Sequence, residues 1–110
     1  MQPWQEKFQQ EIRRADDCRA RSNEGQARVC ARRAAGVAVR EYLARRGVKS
    51  LSPSAYDLLK SLIELADVSP AARQSAEYLT LRVDEEFKLP TQVDLIHEAR
   101  ALREALLPGE

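Results

Sequence analysis

The run from Gln26 to Arg46 constrains the fold of this chain more than any other segment. It reads Gln-Ala-Arg-Val-Cys-Ala-Arg-Arg-Ala-Ala-Gly-Val-Ala-Val-Arg-Glu-Tyr-Leu-Ala-Arg-Arg and stops at Gly47. A proline-free stretch of this length predicts a helix of roughly 30 Å. Its middle is a patch of very small side chains: Ala31, Ala34, Ala35, Gly36 and Ala38. Small residues let neighbouring backbones come close, so this is expected to be the central helix of a bundle. Arg28, Arg32, Arg33, Arg40, Arg45 and Arg46 flank the patch, which predicts a helical module with an anion-binding flank.

A chain of 110 residues can build one core but not two. Apolar residues are 44% and charged residues 32%, a balance that opposes disorder. No segment approaches the roughly 20 apolar residues of a membrane span. The amino end lacks a basic region followed by an apolar one, so a signal peptide is not expected and a cytoplasmic location is. Cys18 and Cys30 lie in separate helical segments without CxxC or Cys/His spacing, which predicts free buried thiols rather than zinc or a disulfide. No cofactor is expected.

Net charge is +1, but residues 1–50 hold 12 Lys+Arg against 6 Asp+Glu, and residues 51–110 hold 6 against 11. The simplest reading is that the basic half packs on the acidic half, within or between subunits. A nucleic-acid face is the alternative, although a dedicated binder is usually more basic overall.

Five helices fit the punctuation. The first is expected from about Trp4 to Arg21, with Trp4, Phe8, Ile12 and Ala15 on one stripe. Ser22 to Gly25 form a turn into the central helix, which Gly47 ends. The third begins at Ser52-Pro53-Ser54, a serine capping and the proline suiting the first turn, and runs to about Asp67. Ala55, Leu58, Leu59, Leu62, Ile63 and Ala66 are expected to face inward. Ser69-Pro70 opens a fourth that reaches about Val83. Asp84 to Pro90 read as a loop, and Thr91 caps the last helix with Asp94 in capping-box position. No alternating strand pattern occurs. The expected fold is therefore all-α, a five-helix antiparallel up-and-down bundle in a single domain.

Few residues offer chemistry. His97, the single histidine, projects away from the Leu95–Leu102–Leu106 stripe and reads as a surface residue. Asp84-Glu85-Glu86 is an acidic triplet, weak as a metal site, and no metal is expected. No glycine-rich phosphate loop or nucleophile motif is present. Arg33 and Arg40 share one side of the central helix beside Gly36, and Arg28 and Arg32 form a second strip. Tyr78 and Arg82 share a face at the end of the fourth helix. Arg33, Arg40, Tyr78 and Arg82 are the candidates for binding an anion or nucleotide, against the simpler reading of salt bridges.

The stretch Arg32-Arg-Ala-Ala-Gly-Val-Ala-Val-Arg-Glu-Tyr-Leu43 resembles the second-helix motif of HEPN domains (higher eukaryotes and prokaryotes nucleotide-binding). Ala34 matches the alanine of that motif, and Arg40 stands for its second lysine. Ser54-Ala-Tyr-Asp-Leu-Leu59 is similar to the start of the family's third helix. Tyr78-Leu-Thr-Leu-Arg82 is similar to its Tyr-x-x-x-Arg segment, with Val83-Asp84 where Tyr-Pro is usual. The last helix, from Thr91, falls in order. The likeness spans nearly the whole chain.

Ribonuclease members of the family resemble one another in an arginine followed a few residues later by histidine, assembled across a dimer. Positions 87–89 after Arg82 are Phe-Lys-Leu, so that histidine is absent. Gly36 and Val37 also replace the usual acid and lysine. The resemblance therefore implies a non-catalytic module, a homodimer that binds a nucleotide or RNA and pairs with a small nucleotidyltransferase, Arg33, Arg40 and Arg82 meeting phosphate. The alternatives are a ribonuclease of the toxin-antitoxin kind working through other residues, or an adaptor without ligand. A dimer is expected on a second ground: Val39 and Leu43 lie off the Ala31–Ala34–Ala38 stripe and need cover.

Overall fold

The computed structural model describes residues 1–49, 52–81 and 93–110. These form α1 (Pro3–Ala20), α2 (Glu24–Arg45), α3 (Ala55–Ile63), α4 (Pro70–Leu79) and α5 (Leu95–Leu106), with no strand among the described residues. The all-α bundle is therefore present. Its centre is α2, which packs against α1, α3 and α5, while α4 closes the far side on α3 and α5. None of the described helices is long and apolar enough to cross a membrane.

Local chemistry sets each helix boundary. Pro3 opens α1, where its missing N–H costs nothing, and the Gln2 N–H donates to Gln5 Oε1 at 2.7 Å. At the other end Ser22 takes a φ of 62°, and the Asn23 N–H reaches back to the Cys18 carbonyl at 2.8 Å. The Asn23 side chain then accepts from the Gln26 N–H. That cap starts α2 at Glu24 rather than Gln26, because Glu24 and Gly25 fit within the capped first turn. Gly47 ends α2 as expected, with a φ of 74° and the Val48 N–H bonded to the Leu43 carbonyl at 2.9 Å.

Three expected boundaries shift. The third helix stops at Ile63 instead of Asp67 because Arg73 Nη2 takes the Leu65 carbonyl at 2.6 Å and Val68 turns into the core. Ala66 is exposed in consequence. The fourth stops at Leu79 because Arg32 reaches across from α2, its Nε donating to the Leu79 carbonyl at 2.8 Å and its Nη2 to that of Leu81 at 2.7 Å. These are carbonyls at a helix end, which Arg32 caps. The last helix starts at Leu95, and its N-cap is Asp94, whose Oδ1 accepts from the Ile96 and His97 N–H groups. Thr91, Arg82 and the Asp84–Glu86 triplet lie outside the described residues.

The core contains the predicted stripes of α1 and α5 and, from α3, Leu58, Leu59 and Leu62, with Ile63 partly buried against it and Ala31, Ala34, Ala35 and Ala38 wholly buried at the centre. Val39 and Leu43 are buried as well, at 0% and 1% exposure. The single chain covers both, so they give no reason for a second subunit. Met1 and Val48 are the exposed large hydrophobics among the described residues. The basic and acidic halves do meet within the chain. Arg19 pairs with Asp94 at 3.0 Å and Arg45 with Glu110 and Arg46 with Asp67 at 2.5 Å each, while Arg100 of the acidic half pairs in the reverse sense with Asp16 at 3.3 Å.

Asp94 joins two of these devices, cap and ion pair. Burial works against its charge, but the His97 N–H, the Arg19 guanidinium and the Ile96 N–H together hold its carboxyl below the ordinary range. A lowered folded pKa stabilises the fold above the carboxylate's unfolded pKa and loses that contribution as pH falls through the lowered value. Asp94→Ala is expected to cost about 0.5–2 kcal/mol near neutral pH. Asp94→Asn keeps the cap, and its stability should fall less steeply below about pH 4. Urea titrations of the three proteins across pH check this, and identical acid profiles would remove Asp94 from the acid response.

Candidate functional site

Because α1 and α3 flank α2 from different sides, a cleft of about 870 Å³ remains between them. Its floor is Val29, Arg33, Gly36, Val37 and Arg40 of α2. At about 100° per residue these positions share one arc of the helix, the arc left outside the core. Lys7, Gln10 and Glu11 form the α1 wall together with Trp4, and Ser54, Ala55, Tyr56 and Leu58 form the α3 wall.

Gly36 sets how closely the α3 wall approaches. A Cβ at this position would lie 2.8 Å from Ala55 Cβ and 3.1 Å from Ala55 Cα, so glycine is what lets the start of α3 rest on α2. Ser54 caps α3 by accepting from the Asp57 N–H at 3.3 Å. Arg40 Nη2 donates to the Ser52 carbonyl at 2.8 Å and anchors the segment just before that cap. Arg40 thus has a structural duty as well as a place in the cleft lining.

Arg33 differs. It is exposed on the cleft floor and forms no hydrogen bond or ion pair among the described residues. Lys7, exposed on the α1 wall, is in the same condition. Two carboxylates also line the cleft. Glu41 accepts from Arg45 Nε at 2.9 Å, and Glu11 accepts from Arg14 Nη1 at 2.8 Å. With Lys7, Arg32, Arg33 and Arg40 against Glu11 and Glu41, the lining has a formal excess of two positive charges.

Cys30 lies behind this region. Burial pushes its thiol up, the Glu11 carboxylate and then Cys18 add to that, and Gln26 and Arg33 act in the opposite direction. Glu11 and Arg33 are thus both within electrostatic reach of one sulfur. Both cysteines are free thiols, Cys30 buried and Cys18 half-buried.

Of the residues singled out in the sequence, Arg33 and Arg40 come together in the cleft. Tyr78 does not: it is half-buried on α4, away from the cleft lining. Arg82 lies outside the described residues. His97 is exposed on α5. Among the described residues no group of three or more His, Cys, Asp or Glu could hold a metal ion. Sequence reasoning missed Lys7 and Glu11. They stand one turn apart beside the Trp4–Phe8–Ile12 stripe, and no local signal says that this flank of α1 faces the basic arc of α2. No protein-family model matches the chain, and no curated protein or solved structure matches it either.

Proposed function

We propose that the chain is a non-catalytic binding module whose cleft takes a small phosphorylated ligand, a nucleotide in the first instance. The observation that carries this reading is the placement of Arg33. Arg33 forms no hydrogen bond or ion pair among the described residues and lines, beside Arg40, a cleft of about 870 Å³. Small-molecule sites typically span about 300–1,000 Å³ and combine apolar walls with a few polar groups. Here Val37 and Leu58 supply apolar wall, and the arginine forks suit phosphate oxygens.

Membership of the HEPN family is part of the same proposal, supported by the motif residues Arg32 to Leu43 on α2. A homodimer and a nucleotidyltransferase partner rest on that resemblance alone.

Calorimetric titration with adenosine triphosphate at low salt tests the binding reading. Arg33→Ala and Arg40→Ala should each weaken the wild-type complex, by about 1.5–3 kcal/mol for each charged hydrogen bond lost. Raised salt should weaken it as well. Wild-type affinity in the double variant would remove the cleft from consideration.

A further inference from the structure

Arg33 and Arg40 stand two turns apart on α2, a rise of roughly 10 Å along the helix axis. Gly36 lies between them on the same face, three residues from one and four from the other. That midpoint is already filled. Ala55 rests on Gly36 so closely that a Cβ there would stand 2.8 Å from Ala55 Cβ, with Leu58 Cδ1 at 3.7 Å. Arg40 is held at the start of the same wall, its Nη2 donating to the Ser52 carbonyl at 2.8 Å. A single phosphate therefore has no room over Gly36 to accept from both arginines. Within the cleft the two are joined over Val37, which is apolar, half-buried and part of the floor.

We infer that the cleft takes a nucleotide with two separated phosphates, a nucleoside 3′,5′-bisphosphate. One phosphate meets Arg33, the other meets Arg40, and the nucleoside lies over Val37 between them. This inference rests on the phosphate reading and names the ligand class within it. In a nucleoside diphosphate the two phosphates share a bridging oxygen and form one compact charge. In a bisphosphate the ribose holds them apart, as the two arginines are held apart. A triphosphate reaches both arginines only when stretched along the cleft. The same pair of phosphates on one ribose occurs inside an RNA strand. Glu11 and Glu41 also line the cleft, however, and as like charges they oppose the further phosphates of a strand. The free nucleotide is the occupant that fits.

The test titrates the whole chain, at low salt and without divalent cations, with adenosine 3′,5′-bisphosphate and adenosine diphosphate. These are isomers that differ only in where the second phosphate sits. Adenosine triphosphate serves as a control for total charge. The bisphosphate should bind about tenfold or more tightly than either, because it alone engages both guanidinium groups unstrained. Arg33→Ala and Arg40→Ala should each bring it down to the level of the diphosphate. Arg33→Ala breaks no bond among the described residues, so its effect reads binding alone. Arg40→Ala gives up the bond to Ser52, and an unchanged thermal midpoint qualifies that variant.

Equal binding of the two isomers by the wild type would overturn the inference and leave the phosphate site standing. So would a preference for the bisphosphate that survives either substitution. A 5′-phosphorylated tetra-adenylate that binds more tightly than the bisphosphate would overturn the choice of a free nucleotide. Failure of the wild type to bind any of the four probes would overturn this inference and the phosphate reading together.

Discussion

Leu43→Ala is expected to lower the stability of the folded chain by about 2–5 kcal/mol, the range for emptying a buried leucine site. Leu43 is 1% exposed in the single chain. Its end of α2 is enclosed by segments from far along the sequence, as the ion pairs of Arg45 with Glu110 and Arg46 with Asp67 attest. Truncation therefore leaves a cavity inside one subunit. Denaturation in urea at low and high protein concentration measures both the loss and its origin. The difference between wild type and variant should be the same at both concentrations, because the lost contacts are internal. A difference that grows with protein concentration would mean that a second subunit covers this residue, since association stabilises by mass action.

The second large effect is at Gly36. On helix propensity alone, Gly36→Ala should stabilise α2 by about 0.5–1 kcal/mol. Packing opposes this, because the added Cβ would stand 2.8 Å from Ala55 Cβ. Overpacking of this kind costs about 1–3 kcal/mol, so the net change should be destabilising. Gly36→Leu should cost more and displace the start of α3, which is a wall of the cleft. Ala55→Gly in the Gly36→Ala background should restore part of the loss. The restoration stays partial because Ala55 Cα would still lie 3.1 Å from the new Cβ. Thermal unfolding of the four proteins in this cycle gives the coupling directly. A more stable Gly36→Ala would show that α3 does not rest on α2 in the way described.

Much of the fold was legible because local patterns carry it. The Trp4–Phe8–Ile12–Ala15 stripe, the serine cap at Ser69 followed by Pro70, the stop at Gly47 and the small-residue middle of α2 are all present, whereas Pro53, expected in the first turn of α3, precedes its cap at Ser54. Each depends on neighbours within a turn or two, where helical geometry leaves little freedom. Arg33 and Arg40 could be placed on one helix side for the same reason.

Tertiary structure decided the remainder. The short ends of α3 and α4 depend on Arg73 taking the Leu65 carbonyl and on Arg32 taking those of Leu79 and Leu81. The second of these acts across 47 and 49 residues of sequence, a distance at which no local pattern operates. The need of Val39 and Leu43 for cover could be read from helical angles, but whether α3, α5 and the chain end or another subunit supplies it could not. The cleft belongs to the same class. Spacing along α2 put two arginines together, and only the packing of α1 and α3 on either side of it made a cavity there and brought Lys7 and Glu11 to its wall. Periodicity within one helix is a property of the sequence; the space between helices is set by how their side chains and backbones meet.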